Sequence, residues 1–347
     1  MITFSFEGTS HGEGYHGKIC GLPEGFAFSV KYVERQLAMR KRGVGRSDRQ
    51  QFDDKVIFQN AVGDEVKGES VEFFLPNARV ENRGEITAVR SGHSDVTGRA
   101  RFPHMSVRQI AEIASARNSV CYVVLGAICK QLLEKQGIFT FHYTQRIGGV
   151  SSKNKYVFGK SEQQPHFEQL HCPCRYATSL MLEKIKKAKA EGNSLGGIAV
   201  AGAVGVPMGV GEILPYASRL DAQIAANLVG IPTVKGIVFG NGEKLADMDG
   251  VSSHDKLTVQ DGEIVYVENK CGGIVGGVSN GRDILCRLFV KPVPTVKGVE
   301  TVDCVTLQSV VQHTERADVC VVPNVGVIAE NILAYVIANQ MLRQKLL

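Results

Sequence analysis

The chain has 347 residues, beyond the usual single-domain size of roughly 100 to 200 residues, so one large domain or two halves sharing a core are both open. Hydrophobic residues make up 44% and charged residues 22%, which excludes a disordered chain, and a formal net charge of +5 is too small to argue for nucleic acid. The start Met1-Ile2-Thr3-Phe4-Ser5-Phe6 lacks the layout of a signal peptide, and no uninterrupted apolar run of about 20 residues stands ready to cross a membrane, so a cytoplasmic protein is expected.

In chain order, Lys18–Gly21 and Lys55–Ala61 read as short strands, and in Glu69–Leu75 the alternation of Val71, Phe73 and Leu75 predicts one buried face. Val107–Gln136 reads as a single helix, with Ile110, Ile113, Val120, Val124, Ile128 and Leu132 near helical spacing. Lys153–Gln169 is polar and reads as a surface excursion. Lys184–Glu191 reads as a charged helix end, Leu220–Leu228 as an amphipathic helix, and Val327–Leu346 as the last long helix. Gly196–Val206, Lys235–Gly240, Glu263–Glu268 and Arg287–Lys291 alternate with them as strands. The fold class expected is α+β, as one domain over residues 1–347 with two similar halves of about 1–180 and 190–347, helices packing under outer sheets.

Nine cysteines are scattered through the chain, an odd count that fits reduced core thiols better than a disulfide framework. Cys172-Pro173-Cys174 lacks a second ligand pair at zinc spacing, so no metal is expected. Arg40, Lys41, Arg42, Arg46 and Arg49 fall within ten residues, interleaved with Gly43 and Gly45. Glycines allow positive φ and close backbone approach, so these guanidinium groups can converge on one small polyanion. His11 follows Ser10 and precedes Gly12; His93 follows Gly92 and lies two residues before Asp95, an acid able to fix its tautomer. Cys271–Gly281 is glycine-rich enough to open backbone N–H groups to a phosphate or a flat ring, yet it has neither Rossmann nor Walker spacing.

Taken in order, these segments resemble the chorismate synthase family along nearly the whole chain. Ser10-His11-Gly12, Arg40-x-x-Gly43-x-Gly45-Arg46, Gly92-His93-Ser94-Asp95 and Ser115-Ala116-Arg117 resemble its first-half motifs. Asn193–Gly197, Val206–Glu212, Leu220-Asp221-Ala222, Val234-Lys235-Gly236, Gly276–Gly281, Lys291-Pro292 and Arg316–Pro323 resemble those of the second half. The resemblance implies a β-α-β sandwich with internal pseudo-symmetry, assembled as a homotetramer and using reduced FMN. It implies an anti-1,4-elimination of phosphate from 5-enolpyruvylshikimate-3-phosphate, giving chorismate without net redox change. It also implies roles: His11 and His93 as proton-handling residues, Asp318 near the flavin N5, and Ser10 and Ser115 as orienting hydroxyls. Substrate anions would meet Arg40, Arg46, Arg49 and Arg117; FMN would meet Ser115, Gly276, Lys291, Pro292, Thr295 and Arg316. Flavin reduction by NADPH and by an external flavin reductase both remain open, and neither nucleic acid nor membrane is expected as a partner.

The chain departs from the family pattern in places. Ile113 stands where an arginine is usual, Ala114 where a serine is usual, Pro232-Thr233 replaces Asn-Ala, and Ala317 and Val319 flank Asp318 in place of histidine and proline. Arg99, Arg101 and Arg108 are candidates to supply the missing cation. A diverged paralogue acting on another phosphorylated ring acid, and a non-catalytic flavin- or anion-binding protein, are the alternative readings.

Overall fold

A computed structural model describes residues 1–46, 54–78, 84–312 and 318–347. Two antiparallel sheets enclose a layer of helices. In the first sheet, β1 (Thr3–Gly8), β2 (Gly14–Cys20), β3 (Ile57–Phe58) and β4 (Ser70–Pro76) lie in the order β1-β2-β4-β3. Val71, Phe73 and Leu75 are buried, as their alternation predicts. The second sheet takes β5 (Phe139–Ile147), β6 (Val150–Ser151), β7 (Gly197–Val204), β8 (Val234–Phe239) and β9 (Ile284–Val290) in the order β8-β9-β7-β5-β6.

Between the sheets run α1 (Val30–Lys41), α4 (Ser119–Glu134) and α7 (Val322–Arg343), with α2 (Asp95–Arg101) and α3 (Val107–Ile113) preceding α4 in the chain. Helices α5 (Arg175–Ala190) and α6 (Leu220–Val229), the latter packed against α7 and β8, complete the principal elements. The mid-layer contact is α4 against α7, where a Cβ on Gly126 would overlap the Asn331 carbonyl. Only glycine lets the two backbones approach so closely. Helix α7 is the one helix among the described residues long and apolar enough to span a membrane by length and composition, and it is buried between the sheets.

Two sequence expectations change, and one helix is added. The helix expected over Val107–Gln136 is two helices, because Ser115 turns extended (φ −64°, ψ 133°) and its side chain accepts from Arg117 N to start a one-turn 3-10 segment, Ala116–Asn118. Periodicity could not show this local side-chain competition with the helix. Ile113 therefore ends α3 half in solvent, at 49% exposure, outside the core stripe. The excursion Lys153–Gln169 is partly anchored: the Tyr156 ring stacks on Phe141 and Tyr143, with centroids 4.7 and 4.9 Å apart, and Phe167 is buried. Finally, α1 was hidden in a polar stretch. It starts where Ser29 accepts from Tyr32 N at 3.1 Å, while Asp64 receives Lys31 N at 2.7 Å.

Candidate active site

Helix α1 delivers the arginine segment. Its last turn carries Arg40 and Lys41, after which the chain exits through Gly43 and Gly45, whose φ angles of 109° and 98° suit glycine. Arg40 lies deeper than an open anion clamp would: it is 4% exposed, with Nε donating to Ser119 Oγ at 3.0 Å and Nη2 to the Ala116 carbonyl at 3.2 Å. Its Nη1 is buried without a partner among the described residues. Burial first, then the nearby Arg46 and Arg117 charges, lowers its proton affinity against the pull of Asp54 and Asp318. An incoming anion would relieve that cost.

Arg46 pairs with Asp318 at 2.9 Å, and its Nε is likewise buried without a described partner. Burial lowers its proton affinity too, opposed by Asp318. Asp54, 5% exposed, receives Arg117 at 2.6 Å and Lys41 at 3.3 Å. The 3-10 turn after Ser115 therefore places Arg117 on the same carboxylate as the end of α1. The Tyr15 hydroxyl, fully buried on β2, feels the Arg117 and Arg40 charges, while burial pushes it up to about 12.

His11 sits on a pinned turn. Gly12 N donates to Thr9 Oγ1 at 3.0 Å, and Asn77 Nδ2 donates to the Thr9 and Gly12 carbonyls, each at 2.9 Å. Ser10 Oγ lies 2.9 Å from His11 Nδ1, and Glu112 on α3 approaches the same nitrogen at 3.7 Å. Asn77 Oδ1 accepts from Arg117 Nε at 3.2 Å, which ties this turn to the arginine cluster.

His93 belongs to a hydrogen-bonded triad. Its Nδ1 is 2.8 Å from Asp95 Oδ1, leaving Nε2 as the ring nitrogen free for other chemistry. Arg90 grips the same carboxylate with Nε and Nη2, both at 2.8 Å, and with its backbone N at 2.9 Å. Asp95 has no exposed surface. Burial alone would raise its pKa, but the bonds from His93 and Arg90 outweigh it and hold the carboxyl well below the usual range.

The second half of the chain closes over this loop. Lys291 Nζ donates to the Gly92 carbonyl at 2.8 Å, and a Cβ on Gly92 would come within 2.6 Å of Pro294. A Cβ on Gly196 would meet Pro292 at 2.9 Å, while Leu195 N donates to the Val319 carbonyl and Val319 N to the Gly45 carbonyl. Continuous contacts thus join Lys291 and Pro292 to Asp318 and Arg46, with Thr295 half-buried in the adjoining strap.

Gly276 is elsewhere. Its hairpin meets Gly211, which donates to Gln344 just past the carboxy-terminal end of α7, whereas Asp318 precedes the opposite end. Twenty-two helical residues separate those ends, about 33 Å at 1.5 Å per residue. A single chain does not bring Gly276 to the other site residues. The expected contacts Arg49 and Arg316 lie outside the described residues, as does Ala317.

The cations suggested as replacements at Ile113 have other partners: Arg99 donates to the Cys304 carbonyl, Arg108 to the Gly84 carbonyl, and Arg101 lies over Phe102. Sequence reasoning missed Arg90, Asp54, Asn77 and Glu112. Arg90 stood two residues before the Gly92-His93 pair and could have been suspected as a partner of Asp95; the other three carry no local signal, since each acts on residues remote in the chain.

An α+β sandwich whose rim joins buried arginines to two histidines, each beside a carboxylate, belongs to the class of enzymes that bind small anions and move protons. The chorismate synthase family profile matches residues 2–342. The chain is 34% identical to a chorismate synthase of Desulforudis audaxviator, covering 99% of this chain and 93% of the relative. It is 30% identical to one of Carboxydothermus hydrogenoformans, covering 99% and 94%. A solved structure described as a crystal structure of chorismate synthase superposes with a TM-score of 0.79 at 25% identity, covering 99% of this chain and 92% of the other. The chain belongs to the chorismate synthase family.

Proposed function

We infer that the protein is a lyase that eliminates phosphate from 5-enolpyruvylshikimate-3-phosphate to give chorismate, in aromatic amino-acid biosynthesis. The observation that carries this reading is the family match over residues 2–342. The family uses reduced FMN, and the rim has a donor set that suits a flavin phosphate and a polyanionic substrate: the Lys291 ammonium above the His93 loop and the orphan nitrogens of Arg40 and Arg46. When bound, reduced FMN would supply electron density for loss of the phosphate and an acceptor for the C6 hydrogen, with no net redox change.

The protein's own residues do the rest. Arg46 and Arg117 bind the substrate's anionic groups, and Arg40 supports them from below. His93, with Nδ1 committed to Asp95, presents Nε2 to the departing phosphate as general acid. His11, oriented by Ser10 and Glu112, serves the reduced flavin, and Asp318 manages the proton near N5 while paired with Arg46. Ser115, Lys291, Pro292 and Thr295 would hold the flavin.

Gly276 is a flavin contact supplied by a second copy, since about 33 Å of helix separates it from Asp318 in its own chain; this accords with a homotetramer. The enzyme works in the cytoplasm, with reducing equivalents from NADPH or an external flavin reductase. The deciding experiment is anaerobic turnover with dithionite-reduced FMN, following chorismate and phosphate together, beside His93→Ala. Equal amounts of both products, lost in the variant with FMN binding intact, support the lyase. Flavin binding without either product transfers the reading to a binding protein or a paralogue, for which the exposed Ile113 is the supporting observation.

A further inference from the structure

Asn324 lies in the first turn of α7, 3% exposed and remote in sequence from the arginine segment. Its Nδ2 donates to the Arg40 carbonyl at 2.5 Å and to the Arg42 carbonyl at 3.1 Å. Two facing acceptors require the amide nitrogen, which settles the orientation of the group. The last carbonyls of a helix have no partner within it. Here a side chain from another helix satisfies carbonyls at the end of α1.

The loop that follows is held by the same stretch of chain. Val319 N and Cys320 N donate to the Gly45 carbonyl at 2.7 and 3.3 Å, and Val44 N donates to Gln169 O at 2.9 Å. The backbone of residues 40–46 is thus held from outside α1 at three places, and among the described residues only the Asn324 contact comes from a side chain. Its Oδ1 is buried without a partner among the described residues. A buried unpaired acceptor works against the folded state, so packing alone would be served as well by leucine. What leucine cannot do is fix two carbonyls on either side of Lys41 and so set the direction in which the chain leaves α1.

We propose that Asn324 is a positioning residue for anion binding: by closing the end of α1 it aims the Arg40 guanidinium group. This rests on the reading of Arg40 as a support of the substrate's anionic groups. Asn324→Leu is compared with the unaltered enzyme and with Arg40→Lys, alone and combined, by steady-state turnover with reduced FMN. The expected result is a KM for the enolpyruvyl phosphate substrate raised about ten-fold, with kcat and FMN affinity close to the unaltered values and a lowered thermal midpoint, because two carbonyls lose their donor. In the Arg40→Lys background the same substitution adds little, because its effect runs through Arg40. The proposal is overturned if Asn324→Leu leaves KM unchanged while Arg40→Lys raises it, or if the two effects simply multiply. If Arg40→Lys itself leaves KM unchanged, it is the assignment of the arginine that fails. Asn324→Ala removes the donor without adding bulk or charge and gives the same comparison if leucine disturbs folding.

Discussion

Replacing Asp95 by asparagine keeps the size of the side chain and removes one charge from a fully buried position. Three bonds from Arg90 and one from His93 end on this carboxylate. An amide has one acceptor oxygen and cannot serve the Arg90 fork and the His93 nitrogen in the same way. Breaking a buried ion pair by removing one partner costs about 3–5 kcal/mol, because the other charge stays buried without compensation. The same change removes the anion that orients the His93 ring, and a general acid contributes about 10²–10⁴-fold. Turnover in Asp95→Asn should fall within that range while FMN still binds, and the urea midpoint at pH 7 should drop.

The pH dependence has a definite sign. Asp95 in the folded protein titrates below its unfolded value near 3.8. Its contribution is therefore fully present above that value and is lost as pH falls through the lower folded pKa. The stability gap between the unaltered protein and Asp95→Asn should be constant from pH 7 to about 5 and close below pH 4. Urea titrations across that range, with turnover at pH 7, measure both effects. Turnover within three-fold of the unaltered enzyme, roughly 0.6 kcal/mol, together with an unchanged urea midpoint, would refute the argument.

Three other outcomes are expected. Glu330, buried between Lys130 and His142, is brought down to about 2 because those partners outweigh the raising effect of burial. Its contribution is fully present above 4.5 and disappears as pH falls toward 2, so Glu330→Gln should lower stability at pH 7 by about 3–5 kcal/mol, less in acid, as read by urea midpoints. Gly126→Ala should push α4 from α7 and lower the thermal midpoint by an amount equivalent to about 1–3 kcal/mol, because its Cβ meets backbone; an unchanged midpoint would mean the helices are not in contact there. Arg46→Met should raise the substrate KM by about ten-fold or more and leave the half-buried Asp318 without the Arg46 charge, detectable as a loss of urea stability near neutral pH.

The strands and their facing were legible where alternation is strict: Val71, Phe73 and Leu75 are buried as their spacing required. The order of motifs also sufficed to indicate the family, because Ser10-His11-Gly12, the Arg40–Arg46 segment and Gly92–Asp95 carry local chemistry whatever surrounds them. The single helix read across Val107–Gln136 failed at Ser115, where a side-chain bond to Arg117 N wins over helical continuity. Helix α1 escaped notice because its sequence is mostly polar, although Ser29 is a local N-cap; Asp64, more than thirty residues away, adds a second bond at its start.

The residue types, their local spacing and the chance of an anion site were thus determined by the sequence itself. Tertiary structure alone decided which charges meet. It joined Arg117 to Asp54 below α1 and Asn324 to the end of that helix. It also set Gly276 and Asp318 at opposite ends of α7. The reason is physical: local propensity acts over a few residues, whereas ion pairs and backbone caps depend on distances that exist only after the sheets and helices have packed.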